Sequence, residues 1–325
     1  MTKVAIVTAS DSGIGKTTAL MLAERGFDIG VTWHSDEKGA LETCREVEAK
    51  GRRAEAVQLD LSTLPQGAQA IETLITRFGR LDVLVNNAGA MTKAPFLDMP
   101  FEEWRGIFTV DVDGAFLCSQ IAARQMVKQG EGGRIVNITS VHEHTPLPDA
   151  SAYTAAKHAL GGLTKSMALE LVEHNILVNA VAPGAIATPM NDMDDSEVKA
   201  GSMPAIPLAR PGHTKEIASL VAWLCDGDAS YATGQSFIVD GGFMLANPQF
   251  KPAGERAPLH LLFIPRLFPM LQPQPDRNHH HDNQDNPCPV LQMLVNIMQP
   301  RTNHFSTHIT ERGKDQGPGN RAKNV

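Results

Sequence analysis

Three side chains able to move protons stand close together in the middle of the chain: Ser140, Tyr153 and Lys157, within SVHEHTPLPDASAYTAAK. Tyr153 and Lys157 are four residues apart in a stretch that continues TAAKHALGGLTKSMALEL and reads as a helix. That spacing sets both on one helix face. Ser140 closes RIVNITS, a run apolar enough for a buried strand, and strand ends in an open α/β sheet face a ligand crevice. A phenol titrates near pH 10, so alone it is a poor acid or base at neutrality. An adjacent ammonium stabilises the phenolate, and a hydroxyl can hold the reacting oxygen. Such a trio suits proton transfer to and from an alcohol or ketone. A lone Tyr-x-x-x-Lys also arises when a buried Tyr packs beside a solvent-facing Lys, so the reading depends on what flanks it.

The elements that would position the trio can be read in order. Val4 to Thr8 is a short β-branched run, followed by ASDSGIGK and then by TTALMLAERG, which has helical periodicity and ends at Gly26. Strand, glycine turn and helix are the context a dinucleotide-binding loop requires. Gly13 and Gly15 let the backbone approach a pyrophosphate, and the helix N-terminus beyond them favours an anion. Asp28 to Thr32 reads as a second strand, EKGALETCREVEAKG as a helix, AEAVQLDL as a third strand ending at Asp60, and Gln66 to Phe78 as a helix. LDVLVNNAG is a fourth strand entering a turn whose Ala88 and Gly89 leave room for something flat. A helical stretch from about Glu102 to Gly130 precedes the Ser140 strand and the Tyr153 helix. ILVNAVAPG and SFIVDGG supply strands six and seven. The alternation predicts an α/β chain with a single Rossmann-type, doubly wound parallel sheet of about seven strands, flanked by helices. Thr188 to Pro211, rich in Met, Asp and Pro, interrupts the rhythm on the ligand side and is expected to act as a mobile lid.

A net charge of −7 over 325 residues argues against nucleic acid as a partner. Cys44, Cys118, Cys225 and Cys288 are far apart and form no CxxC pair, which suits reduced thiols in a cytoplasmic protein. The N-terminus runs straight into a strand pattern without a cleavable signal, and no membrane association is expected. From about Lys251 the composition turns to Pro, Asn, Gln, His and Arg without sustained periodicity. Residues 1–250 are therefore expected to form the catalytic and dinucleotide-binding domain, and 251–325 a disordered extension. The tract His279, His280, His281 is read as adventitious, and no metal site is expected.

Taken together, these residues resemble the short-chain dehydrogenase/reductase family in its single-domain form, over about residues 2 to 250. The resemblance rests on TASDSGIG at Thr8–Gly15, Asp60 after the third strand, NNAG at Asn86–Gly89, Ser140 with Tyr153 and Lys157, PGAIATPM at Pro183–Met190, and IVDGG. It implies that Tyr153 is the general acid in reduction and the base in oxidation, and that Ser140 holds the substrate oxygen. Lys157 would bind the nicotinamide ribose hydroxyls and stabilise the Tyr153 phenolate. The dinucleotide would be held by the loop residues Ser10, Ser12, Gly13, Ile14 and Gly15, and by Asp60 with Leu61. Asn87, Ala88 and Gly89 would join them, together with Pro183, Gly184, Ile186 and Thr188. The cofactor carries the hydride chemistry and the protein supplies orientation and electrostatics. By the same resemblance the chain is a homotetramer (or homodimer), pairing the helices of Asp111 and Tyr153.

Three departures from the family pattern stand out. Ala9 replaces the first loop glycine, which predicts a negative φ there. Asp111 occupies the catalytic asparagine's place in FTVDVDGAF. A carboxylate near Lys157 would favour the ammonium while offsetting part of its field at Tyr153, predicting an alkaline activity profile relative to Asp111→Asn. The second strand ends in Trp33, His34 and Ser35 instead of the acid that binds ribose hydroxyls in NAD enzymes. No carboxylate there would repel a 2′-phosphate, and His34, Ser35 and Ser12 could contact one. NADP(H) is therefore expected in preference to NAD(H), although the usual phosphate-clamping Arg is absent.

The substrate loop VHEHTPLPDASA is polar and resembles sugar-oxidising members such as glucose 1-dehydrogenase. His142, with Glu143 and His144, could hydrogen-bond a hydroxylated small molecule. A small polar hydroxyketone, diketone, sugar or polyol is the expected substrate class. A 3-oxoacyl-carrier-protein reductase is the alternative and would call for a basic patch at the site mouth. A non-catalytic dinucleotide sensor on the same fold would be expected to lack Tyr153 or Lys157.

Overall fold

In a computed structural model the chain divides into Met1–Leu262 and Phe263–Val325, and the described residues, 2–246, all belong to the first unit. The expectations for 251–325, for the histidine tract and for Cys288 lie outside the described residues. Seven strands form one parallel sheet: β1 Val4–Val7, β2 Asp28–Trp33, β3 Ala54–Gln58, β4 Val83–Asn86, β5 Gly133–Ile138, β6 Ile176–Pro183 and β7 Ser236–Val239. Their order is β3-β2-β1-β4-β5-β6-β7. The central runs VAIV and VLVN are buried along their whole length, as a sheet covered on both faces demands. On one face α1 (Gly13–Glu24), α2 (Glu37–Ala49) and α7 (Thr214–Leu224) close over Val7, Val31 and Val85. On the other, α3 (Gln69–Phe78), α5 (Ala115–Gln129) and α6 (Ser151–Leu171) close over Ile6, Leu84 and Ile135. Each such large side chain contributes about 1.5–3 kcal/mol when fully buried. The strand order reverses between β1 and β4, and that switch point opens the crevice at the strands' carboxyl ends.

Two boundaries differ from the sequence reading. β3 stops at Gln58, and only one further bond, Leu59 N–H to the Trp33 carbonyl at 2.8 Å, continues its pairing. Asp60 then turns its carboxylate onto the Ser62 amide and hydroxyl. The helix expected over Glu102–Gly130 is α4 (Phe101–Phe108) joined to α5 through a π turn, Thr109–Gly114. The turn is the kind of insertion that re-aims a side chain inside a helix, and it carries Asp111. This combined helix, Phe101–Gln129, is long and apolar enough by length and composition to cross a membrane. Its Cys118, Ala122 and Met126 are instead buried against the sheet.

A buried polar chain ties the sheet to α6. The Asn86 amide donates to Ser119 Oγ and to Asn137 Oδ1, both at 2.8 Å, and the Asn137 amide donates to Thr164 Oγ1 at 2.8 Å. Every member has a partner, so the chain specifies one placement of α6 on the sheet. Gly161, one turn beyond Lys157, lets α6 approach the Ser140 turn. A Cβ there would lie 2.2 Å from Glu143 Oε1.

Candidate active site

The crevice is a cavity of ≈ 580 Å³ lined by residues from the loops after β1, β4, β5 and β6. Ser140, Tyr153 and Lys157 all line it and are all buried, at 6%, 9% and 4% exposure. Ser140 Oγ accepts from the His142 amide at 3.2 Å and caps the short turn Val141–Glu143. Its own proton is therefore left for a cavity oxygen. The Lys157 ammonium lies 5.4 Å from the centre of the Tyr153 ring and donates to the Ile138 carbonyl at 3.3 Å.

Behind this trio sits a buried ion pair. Lys157 Nζ is 3.0 Å from Asp111 Oδ2, with side-chain exposures of 5% and 0%. Asp111 Oδ1 accepts from the Ala90 amide at 2.7 Å, whereas Oδ2 makes no aligned hydrogen bond and is held by the lysine's charge. Burial pulls the lysine toward its neutral form, but Asp111, then Tyr153 and Glu143, outweigh it and raise Lys157 above its ordinary value.

The glycine loop is braced from beneath. Thr8 Oγ1 accepts from the Asn87 and Ala88 amides, each at 2.8 Å, and the Asn87 side chain donates to the carbonyls of Thr8 and Ala9. Asn87 thus lines the cavity with its amide already committed to the loop. Ser10 is wholly buried, donating to the Val7 carbonyl and accepting from the Thr32 amide. Ala9 has φ of +48°, which corrects the negative value expected from the sequence. Its amide bonds Thr32 Oγ1 and its carbonyl accepts from Asn87, so the surrounding structure holds it there. An L-residue in this region costs about 1 kcal/mol, part of which glycine would return as unfolded-state freedom. Ala9→Gly is expected to stabilise the chain by about 0.5 kcal/mol in denaturant unfolding; a loss of stability would show that the strain is absent.

The residues present fit a dinucleotide. α1 starts at Gly13 with no side-chain cap and no acid in its first turn, leaving its first amides to an anion. A Cβ on Gly15 would lie 2.1 Å from the Ala9 carbonyl, so the tight loop admits only glycine there. Ser12, Gly13 and Ile14 line the cavity, as do Gly89, Pro183, Gly184, Ile186 and Thr188. Gly15, Ala88, His34, Ser35, Asp60 and Leu61 do not. His34 lies beyond the wall, its Nε2 3.5 Å from Asp60 Oδ1.

Sequence reasoning missed several wall residues. Asp11 lines the cavity, and burial, with Asp36 adding to it, holds its carboxyl above the usual range. Met91 and Lys93 enter from the loop after β4, and Met190, Met203 and Ile206 from the segment between Thr188 and Pro211. Of the three candidate substrate contacts in the VHEH turn, only His142 lines the cavity. Glu143 points inward, where its Oε2 accepts from Thr139 at 2.7 Å and Ser236 at 2.8 Å. His144 follows it, with Nε2 3.1 Å from Ser236 Oγ. Gly161 was the available signal, because glycine inside a helix costs stability and usually marks a close contact.

Comparison with known proteins agrees with this geometry. A family model described as Enoyl-(Acyl carrier protein) reductase matches residues 8–244. The oxidoreductase YohF of Escherichia coli K12 is 79% identical over 252 residues, covering 78% of this chain and all of that protein. A 3-oxoacyl-[acyl-carrier-protein] reductase of Synechocystis is 40% identical, over 75% of this chain and 97% of its own length. The crystal structure of acetoin dehydrogenase from Enterobacter cloacae superposes with a TM-score of 0.75 at 91% identity, covering 78% of this chain and 99% of that one. With the family model spanning most of the chain and relatives this close, the protein belongs to the short-chain dehydrogenase/reductase family: it is an NAD(P)-dependent oxidoreductase acting on CH–OH groups and the corresponding carbonyls.

Proposed function

We propose that the chain interconverts a small polar ketone and its alcohol, with NADP(H) in preference to NAD(H). One observation carries the chemistry: a buried ammonium held over the Tyr153 ring at 5.4 Å, in a cavity shared with a Ser140 hydroxyl whose proton is free. When bound, the nicotinamide supplies or accepts the hydride. Ser140 donates to the substrate oxygen and fixes it beside Tyr153. Tyr153 gives its proton to that oxygen in reduction and takes one back in oxidation. Lys157 holds positive charge next to the phenol throughout, anchored by Asp111, and so stabilises the phenolate that proton donation leaves. Met91, Met203 and Phe243 add apolar side chains to the wall of the cavity.

The likeness to an acetoin dehydrogenase supports a four-carbon hydroxyketone or diketone as substrate. The carrier-protein alternative gains no support from charge, since Lys93 is the one basic side chain besides Lys157 on the described wall and His142 its one imidazole. For the cofactor, the absence of an acid at the end of β2 supports NADP(H), while Asp11 on the wall weighs the other way. Consumption of NADPH and NADH measured in parallel on diacetyl, acetoin and a short β-ketoacyl thioester tests all three points. NADPH-linked turnover of the small ketones is expected. Turnover of the thioester alone overturns the substrate, and faster turnover with NADH overturns the cofactor preference. A homotetramer is proposed with it, supported by the exposed apolar side chains Phe116 on α5 and Leu169 on α6. A cytoplasmic location is supported by Cys44, Cys118 and Cys225, which are free and buried, with thiols pushed up to about 11, 12 and 12 by burial.

A further inference from the structure

We infer that Glu143, which does not line the cavity, is a positioning residue for the proton transfer: its carboxylate, seated in the slot that Gly161 leaves in α6, holds the Ser140 turn in place against Tyr153 and Lys157. The inference rests on the carbonyl–alcohol reading above and adds the part that fixes its geometry. The sheet alone does not settle where Ser140 stands. The Thr139 amide donates to the Val181 carbonyl at 2.8 Å, and the next donor along β6 would be Pro183, which has no N–H. From Ser140 onward the chain follows the short turn Val141–Glu143, closed by the Glu143 amide on the Ser140 carbonyl at 2.8 Å. Val141 and Glu143 are the buried residues of that turn.

A carboxylate at 6% exposure is costly to bury unless its oxygens are used. Oε2 accepts from Thr139 Oγ1 at 2.7 Å, just past the end of β5, and from Ser236 Oγ at 2.8 Å, at the start of β7. The end of the side chain lies against α6, where a Cβ on Gly161 would overlap its Oε1, Cδ and Cγ. Glu143 therefore ties the turn to three elements at once: β5, β7 and the catalytic helix. Tyr153, Lys157 and Gly161 follow one another at four-residue intervals, so the phenol, the ammonium and the slot lie along one face of α6. An anchor in the third position sets the Ser140 hydroxyl against the other two. Misplacing a reacting group by about 1 Å can cost about a hundredfold in rate, so such an anchor bears on kcat without touching the substrate.

The test measures kcat on acetoin and diacetyl, together with the dissociation constant of the reduced cofactor, in wild type, Glu143→Ala, Glu143→Gln, Ser140→Ala and the double variant Glu143→Ala/Ser140→Ala. Glu143→Ala is expected to lower kcat about a hundredfold, by the same factor on both ketones, with cofactor affinity changed by less than about threefold. Glu143→Gln keeps the shape and an oxygen that can accept from both hydroxyls, and should return kcat to within about fivefold of wild type. In Ser140→Ala no hydroxyl is left to place, so adding Glu143→Ala should cost less than about threefold more. Gly161→Ala, which evicts the carboxylate from the side of the helix, should reproduce Glu143→Ala, and it takes that variant's place in the double if Glu143→Ala does not fold. Full additivity with Ser140→Ala, a Glu143→Gln as slow as Glu143→Ala, or cofactor affinity falling in step with kcat overturns the inference and leaves the carbonyl reading intact. A wild type that binds cofactor yet turns over neither ketone overturns both.

Discussion

Tyr153→Phe is expected to lower kcat about a thousandfold on any ketone the wild type reduces, within the span that general acid–base groups supply. Dinucleotide binding, followed by titration of the reduced cofactor's fluorescence, should change little. The Tyr153 residue is 9% exposed and its ring packing is kept by phenylalanine; what disappears is the phenol proton, in the cavity that Ser140 and Lys157 also line. Turnover within tenfold of wild type would remove Tyr153 from the proton transfer, whereas a wild type that binds the dinucleotide but reduces no ketone would leave the site as a dinucleotide sensor. Loss of binding together with turnover would instead show that the hydroxyl organises the cavity.

Asp111→Asn is expected to change both the pH profile and the stability. The amide preserves an acceptor for the Ala90 N–H, so the substitution removes charge and little else. Lys157 is then a buried ammonium without its nearest counter-charge, and breaking such a pair costs roughly 3 kcal/mol or more. For a domain of this size that is a drop in Tm of about 6–12 °C. Burial tends to lower Lys157, but Asp111 and its neighbours raise it above 10.5 in the folded chain. A raised lysine stabilises the fold fully below the unfolded value of 10.5 and loses that contribution as pH climbs through the folded one. The wild type's advantage in Tm should thus persist through neutral pH and shrink only in strong alkali. In activity, removing the carboxylate leaves more of the ammonium's field at the phenol, so the variant's profile should move to lower pH by about one unit. Coincident profiles and melting curves would show that Asp111 serves only as a local hydrogen-bond acceptor.

How far the site could be read from the chain depends on the range over which each residue's role is set. Tyr153 and Lys157 were legible because their relation is four residues of helix, and the parallel sheet because strands and helices alternate without interruption. Roles set by neighbours distant in sequence were not legible. Asn87 looks like a ligand contact but spends its amide on the carbonyls of Thr8 and Ala9, which reach it only when β1 and β4 pair. Glu143 has the chemistry of a substrate contact yet turns inward, because Gly161 leaves it space and Thr139 and Ser236 satisfy it. Ala9 was read from intrinsic preference, and three long-range hydrogen bonds around the loop override that preference. The wall between Thr188 and Pro211 has no periodicity to reveal which side chains face the ligand.

The buried chain from Asn86 through Asn137 to Thr164 bears on how such a protein can diverge. It anchors the catalytic helix to the sheet from the side that no substrate reaches. Met190, Met203 and Ile206 come from a separate stretch, tied back to the body by the Ile186–Gly212 bridge and by Asp195 on the Thr214 amide. Under the proposed function, proton transfer and substrate preference would therefore lie on different pieces of chain. Exchanging the second piece between relatives should trade one alcohol for another while the rate of the proton step travels with the first.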